Sequence, residues 1–381
     1  MKFVIIVHVI TSVTIKMLPF DVILLICRDV TDCDKLRVAA TCKYLDELKL
    51  KMSFDTQMYI RDICMLPYFH RFQNIIVTSI ADPLPVFVTR ITFDSHIDEL
   101  ITDWIPQSVT HVTFGFYFNQ PIENSIPSSV THLTFGSKFN QPIMNCIPSS
   151  VTHLTFDHAF DQTPYVPESV THLTFGDRFD QPIKNKIPKS VTHLVFGYWF
   201  DQPIDGCIPD SVTYLHFGDT FDQPVKGCIP PSVTHLIVDD NFSHPVDGAI
   251  SFVTHLTVGE EFPLNANITS VTHLTFNYFF NKRVRGCVPT NVTHLTFGTH
   301  YNQSIYDTIP NSVTHLEFGY NFNHSIDNNI PASVTHLTLG HDFRQLIDLL
   351  PKTVTHLTLV KNYLITVPAD IAARTTVTVI P

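Results

Sequence analysis

Along most of this chain, apolar residues recur with a period far longer than that of any helix or strand. From Val109 it reads VTHVTFGFYFNQPIENSIPSS, with apolar side chains at the first, fourth, sixth, tenth, fourteenth and eighteenth positions, and the same order keeps returning. Copies begin at Val88, Val109, Val130, Val151, Val170, Val191, Val212, Val233, Val253, Val271, Val292, Val313, Val334 and Val354, and nine of the thirteen intervals are 21 residues. One unit cannot bury so many apolar groups alone, whereas neighbours stacked on either side can. The pattern therefore predicts a repeat solenoid. The tenth position is Ile97 in the first copy and aromatic in the thirteen others, from Phe118 to Tyr363, which predicts a continuous aromatic spine.

Within a unit, polar and apolar positions alternate only around the fourth and sixth residues, so the strand expected there is very short. Period-two alternation sends Leu133 and Phe135 inward and His132, Thr134 and Gly136 to the opposite face. Asn or Asp at the eleventh position (Asn119, Asn140, Asp180, Asp201) satisfies loop backbone groups through its side chain. The Ile-Pro pairs Ile126-Pro127 and Ile147-Pro148 forbid helix near the end of the unit and favour an extended return. The expected fold is thus a solenoid of short parallel β-strands with an extended convex side. The first six residues of each copy fit the spacing L-x-x-L-x-L of leucine-rich repeats. The unit also resembles the FNIP repeat family, named for the segment seen here as FNQPI at 118–122 and 139–143 and followed by Ile-Pro. That resemblance covers roughly residues 85–365 and weakens in the copies at Val151 and Val253 and in the last two. It implies arrays of the kind found in social amoebae and in giant viruses of amoebae.

Before the repeats the pattern changes. Residues 17–50 read as a small α-helical module: Pro19 in a first helical turn, Val22, Leu25 and Ile26 on one apolar face, an acidic break at Asp32 and Asp34, then a second helix with Leu36, Val38, Ala39 and Leu45. This segment resembles an F-box, the helical motif that joins a substrate receptor to the Skp-type adaptor of a cullin-RING ubiquitin ligase. The matching residues are Leu18-Pro19 with Asp21, Ile26, the step Asp34 to Leu36, and Cys42-Lys43; Tyr44-Leu45 stand where a tryptophan is usual. The resemblance implies adaptor binding through Leu18, Pro19, Val22, Ile26, Leu36 and Cys42. Without it, the module reads as a cap over the open end of the solenoid, which repeat proteins require. The chain then divides into an N-terminal extension at 1–16, the F-box-like module at 17–50, a helical connector and capping strand at 51–84 (the strand being NIIVTSI), about fourteen repeats at 85–365, and a C-terminal cap at 366–381 in which TTVTVI forms a closing strand.

Composition narrows the chemistry. A net charge of -11 with neutral histidines, and the lack of any Lys/Arg cluster, argue against a nucleic-acid partner. Four of the eight cysteines (Cys146, Cys207, Cys228, Cys287) share the seventeenth repeat position, as expected for a small half-buried slot holding reduced thiols in an intracellular protein, here the host cytoplasm. The apolar stretch at the extreme N-terminus contains His8, lacks an A-x-A-like cleavage site and is too short to span a bilayer, so neither secretion nor a membrane partner is expected. Twelve of the fourteen copies carry histidine at the third position, the exceptions being Arg90 and Tyr214. They should form a ladder of neutral imidazoles beside a ladder of threonines. Equivalent rungs make a flat row and not a closed tetrahedral cluster, so a metal- or ligand-binding ladder is the weakest reading. Selectivity should lie where the repeat varies, at the eighth and ninth positions, and the exposed aromatics Tyr198, Trp199, Tyr278 and Tyr320 are the candidates for holding a target protein. No catalytic arrangement and no cofactor motif emerges, so an enzyme is not expected. The expected function is substrate recruitment for a ubiquitin ligase, and the alternative is a stand-alone protein-interaction scaffold.

Overall fold

The computed structural model describes residues 20–28, 30–40, 46–264, 268–360 and 367–380. Leu18, Pro19, Cys42, Lys43, Tyr44, Leu45 and Tyr363 lie outside the described residues, as do residues 1–16. The chain forms two compact units, residues 1–157 and 158–381.

The first unit opens with two short helices, α1 (Phe20–Cys27) and α2 (Asp32–Ala39). Thr31 caps α2: its Oγ1 accepts the Asp34 amide, Asp32 and Asp34 occupy the first turn and Arg37 the last, an arrangement that suits the helix dipole. An ion pair on its inner side ties α2 to the following chain. Lys35 Nζ donates to Asp32 at 2.7 Å and to the Ser53 carbonyl at 2.8 Å, while Asp32 accepts the amides of Asp55 and Thr56 at 2.6 Å. Burial works to raise the Asp32 pKa, but the hydrogen bonds from Lys35 and Thr56 outweigh it and hold the carboxyl below its usual range. A 3-10 turn at Glu47–Leu50 follows, and the connector after it contains little helix: strand β1 (Met58–Tyr59), the single turn α3 (Ile60–Ile63) and a 3-10 turn at Phe69–Arg71. Its aromatic residues Phe54, Tyr68 and Phe72 pack on one another with ring centres 5.1–6.0 Å apart. Strand β2 (Asn74–Val77) stops short of Ile80 because the Asp82 carboxylate captures the amides of Thr78 and Ser79 in a turn.

From there the strands run parallel in chain order: β1 pairs β2, then β3 (Arg90–Phe93), β4 (His111–Thr113), β5 (His132–Thr134) and β6 (His153–Thr155). Register places like on like, His132 opposite His153 and Leu133 opposite Leu154. The second unit repeats this arrangement from β7 (His172–Thr174) through β8 (His193–Val195), β9 (Tyr214–Phe217), β10 (His235–Val238), β11 (His255–Val258), β12 (His273–Phe276), β13 (His294–Thr296), β14 (His315–Glu317), β15 (His336–Thr338) and β16 (His356–Val360). It closes with a short helix α4 (Ala369–Arg374) and β17 (Thr376–Ile380), which pairs β16. The Arg374 guanidinium donates to the carbonyls of Leu350, Pro351 and Val354, so a cation fastens the closing helix to the last turn. Opposite the strands each unit is built of turns, as the Ile-Pro pairs require.

Inside, two aromatic columns stack. Phe114, Phe135 and Phe156 of the sixth position follow one another at 5.3 Å, and Phe114 and Phe135 pack on the tenth-position rings of their own copies, Phe118 at 4.2 Å and Phe139 at 4.0 Å. The second unit has the same pairing in Phe175 with Phe179 and Phe297 with Tyr301, but Val238, Val258, Leu339 and Leu359 replace the sixth-position ring in four copies; Tyr301 is the one hydroxylated ring in its described tenth-position column. Each such pair adds about 0.5–1.5 kcal/mol beyond its area burial.

Two repeat positions differ from, or refine, the expectation. Gly136 does not face outward; it is buried in a turn so close to the previous copy that a Cβ there would lie 2.0 Å from the Gly115 carbonyl oxygen. The period-two alternation ends at the sixth residue, so it could not place the seventh. The sixteenth position is left-handed in ten described copies, and its occupants are confined to Asp103, Asn124, Asn145, Asn185, Gly206, Gly227, Gly248, Gly286, Asp307 and Asn328. These are the residue types that tolerate positive φ.

Candidate functional site

Three surfaces in the described residues have the chemistry of contact sites. The first is the outer side of α1. Ile23 and Cys27 are buried, while Val22 is 39% and Leu25 65% exposed. An 8-residue helix thus shows apolar side chains on both sides, one packed and one bare. Leu36 on α2 is half-buried, and the side chain of Ile26 is outside the described residues. Of the six residues expected to bind the adaptor, the structure therefore places Val22 and Leu36.

The second surface is the turn after each strand, where the eighth and ninth positions lie. Tyr198, Trp199, Tyr278 and Tyr320 are all exposed. They form separate small clusters: Tyr198 on Trp199 edge-on at 5.1 Å, Tyr278 on Phe279 at 4.8 Å with His300 beside them, and Tyr320 stacked on His341 at 4.3 Å. In the first unit Phe116 and Tyr117, also exposed, make the equivalent pair. Between the Tyr198 and Tyr278 clusters the same edge turns acidic. Burial, and after it the carboxylates of Asp239 and Asp240, push the Asp219 pKa up, and His216 Nε2 sits 2.9 Å from Asp239. In the sequence this stretch looks scattered because Asp219 lies 20 residues before Asp239 and 21 before Asp240.

The third surface is the open face of the sheet, built by the third and fifth positions. Imidazole rings stack face to face, 4.1 Å between His111 and His132 and 4.2 Å between His294 and His315. Tyr214 interrupts the row, widening the gaps to 5.7 and 6.3 Å. Each Nδ1 lies 2.8–3.0 Å from the Oγ1 of the threonine before it, from Thr110 and His111 to Thr355 and His356. That hydroxyl in turn donates to the threonine carbonyl one copy earlier, as Thr314 does to Thr293 at 3.2 Å. Burial lowers the pKa of His111, with Arg90 and His153 adding to it, and burial followed by the neighbouring histidines lowers those of His255, His273, His294 and His336. Because the rings are parallel, their outer nitrogens do not converge. Among the described residues no group of three or more His, Cys, Asp or Glu side chains is arranged to hold a metal ion.

The cysteines fall where the repeat puts them. Cys207 is buried and Cys146, Cys228 and Cys287 half-buried, each Sγ directed at the carbonyl two residues back. Ser125 and Thr308 occupy the same slot and make the same bond, while Trp104, Lys186, Ala249 and Leu350 fill it in other copies. Among the described residues no helix is long and apolar enough to cross a membrane.

Short parallel strands, in-register ladders and turns in place of convex helices define a leucine-rich-repeat-like β-solenoid, a scaffold that is typically non-catalytic and suited to holding other proteins. The FNIP Repeat profile matches residues 79–117, 118–162, 165–199, 181–220, 200–240, 221–250, 280–321 and 322–362. The chain belongs to the FNIP repeat family. Among solved structures it is similar to that of CroV588, a giant-virus protein described as a novel circular LRR protein, with 34% identity and a TM-score of 0.53 over 77% of this chain and 54% of that one. This chain spans about half the length of that relative. YopM from Yersinia enterocolitica WA-314 is similar at 13% identity and a TM-score of 0.35, over 76% of this chain and 67% of that one, too distant to bear on function. A search of curated proteins found no relative.

Proposed function

We propose that this protein is a non-catalytic, substrate-recruiting subunit of a cullin-RING ubiquitin ligase of the SCF type, acting in the host cytoplasm. The N-terminal helices dock the Skp-type adaptor and the repeats hold a target protein, so that the chemistry is proximity alone. The observation that carries this reading is the bare apolar side of α1, Val22 and Leu25, on a helix whose other side is already packed. A helix that served only to cover the sheet end would have no use for it. The target is held through residues that escape the repeat pattern, the aromatic clusters at Tyr198, Trp199, Tyr278 and Tyr320.

A stand-alone interaction scaffold is the second reading, and the observation that favours it is the tie of Asp32 and Lys35 to residues 53–56, which is how a cap would be fastened. Co-purification of the full chain with a Skp-type adaptor separates the two. Stable binding that is lost in Val22→Asp/Leu25→Asp, with the repeat solenoid still folded by circular dichroism, is the expected result. No binding by the intact chain sinks the ligase reading and leaves the scaffold.

A further inference from the structure

The turns after the strands carry a ladder of their own. The ninth-position amide donates to the eighth-position carbonyl of the copy before it: Trp199 to Asp177 at 2.7 Å, Thr220 to Tyr198 at 3.0 Å, Asn241 to Asp219 at 3.2 Å and Glu261 to Asp240 at 2.9 Å. These bonds set successive eighth positions about 4.8 Å apart, in the order Asp177, Tyr198, Asp219, Asp240 and Glu260, with Tyr278 in the copy after. Paired rings stand at both ends of the acidic run, Tyr198 with Trp199 and Tyr278 with Phe279, and all four are about half exposed. Large rings gathered on a surface are the usual anchors of contact with another protein.

The turn itself requires neither the rings nor the carboxylates, because the same backbone bonds close it with Tyr198 or with Asp219 at the eighth position. Charge is nevertheless concentrated in these copies. Between His158 and Phe262 lie fourteen acidic and five basic residues, out of 35 and 24 in the chain, so nine of its eleven net negative charges fall here. Along the ridge Arg178 is the basic residue at one end, and Lys282 beyond the other is paired with Glu261 at 2.9 Å. The side chains of Asp219 and Glu260 make no hydrogen bond or ion pair among the described residues. Burial, and then the carboxylates of Asp239, Asp240 and Asp177, raise the Asp219 pKa against the influence of His216, so the run holds a repulsion that an external cation would relieve.

We propose that the ridge from Trp199 to Tyr278 is the docking site for a basic, extended segment of a partner protein. The rings supply anchors and the carboxylates between them select the sign of the partner's charge. Arginine suits both, since its guanidinium stacks on ring faces and pairs with carboxylates. Tyr198 and Tyr278 are four copies apart, about 19 Å, which an extended chain crosses in roughly six residues. A second copy of this chain would bring the same negative ridge and is the wrong occupant. The site rests on the proposed role of the repeats in holding a protein, and names the chemistry of the segment held.

The test uses the full chain labelled with ¹⁵N at its two tryptophans, Trp104 and Trp199, at pH 7.5 and low salt. Hepta-arginine should shift the Trp199 indole signal and leave that of Trp104 in place, and hepta-glutamate should move neither. An unmoved Trp199 signal overturns the proposal, as does one that changes with protein concentration alone, which would make a second copy the occupant. Affinity is then measured with a fluorescent hepta-arginine. Trp199→Ala/Tyr278→Ala should weaken binding on the order of tenfold, and Asp219→Asn/Glu260→Gln roughly fivefold. The control is Asp180→Asn/Asp201→Asn, which removes the same charge at the eleventh position. There each carboxylate accepts the next copy's amide and glutamine, as Asn119 does for Asn140 and Gln141, so asparagine keeps the fold. The control should bind nearly as well as the native chain; a loss equal to that of Asp219→Asn/Glu260→Gln would reduce the effect to net charge and overturn the site. Adaptor co-purification judges the ligase reading separately: a native chain that binds hepta-arginine at Trp199 without adaptor keeps this site, and one that binds adaptor without the peptide loses it.

Discussion

Tyr301 occupies a place in the aromatic spine where its hydroxyl serves nothing. The ring is fully buried, 4.1 Å from Phe297 within its own copy and 6.4 and 6.2 Å from Phe280 and Phe322 in the neighbouring copies. Its Oη has no hydrogen-bond partner among the described residues. Burial pushes the phenol pKa well above the ordinary tyrosine range, because an anion there would face only rings. Leaving a buried hydroxyl unsatisfied costs roughly 1–3 kcal/mol, and Tyr301→Phe removes that cost while keeping the ring and matching the copies on either side. A gain of about 1 kcal/mol, or roughly 2–4 °C for a domain of 150–250 residues, is expected. The mirror change Phe322→Tyr should lose a similar amount. Urea unfolding followed by circular dichroism reads both, with the slope of the transition expected to stay the same. A neutral or destabilising Tyr301→Phe would falsify the claim that the hydroxyl is unsatisfied.

Three further changes test the repeat geometry. Gly136→Ala would put a Cβ against the Gly115 carbonyl and force two copies apart, with an expected loss of roughly 1–3 kcal/mol in urea unfolding; a wild-type midpoint would show that the turn has room. At the left-handed sixteenth position, Asn145→Ala should cost about 1–2 kcal/mol while Asn145→Gly is tolerated, and equal effects of the two would remove backbone conformation as the reason for the residue choice. The lowered pKa values of His255, His273, His294 and His336 mean that the folded chain binds fewer protons than the unfolded one just below pH 6.5. Stability is thus complete above the unfolded value of about 6.5 and falls as the pH drops from there through the lowered folded values. Unfolding midpoints at pH 7.5, 6.5 and 5.5 check the sign, and an increase on acidification would contradict it.

Much of the fold was legible because the repeat states each rule many times. Leu133, Phe135 and Phe139 are buried as their spacing requires, and so are their equivalents in the other described copies. The FNIP segment and Ile-Pro pairs identified the family from residues alone. The candidate site was less legible. Val22 and Leu25 were expected on one helix face, but that this face is bare while Ile23 and Cys27 are packed is set by the tertiary structure. The turn aromatics were correctly read as exposed, but their grouping into local pairs comes from side-chain directions that spacing does not contain.

By itself the amino-acid sequence determined the period, the strand position, the buried set and the absence of convex helices, because these follow from local hydrophobic order and from proline. Tertiary structure decided what happens between copies: glycine at the seventh position, imidazoles in face-to-face contact, and threonine hydroxyls placed between the previous copy's carbonyl and the next residue's imidazole. The physical reason is distance. A residue's neighbour in the next copy is about 21 positions away in sequence but lies across a single strand spacing of about 4.8 Å, and only the packed backbone sets which atoms meet there.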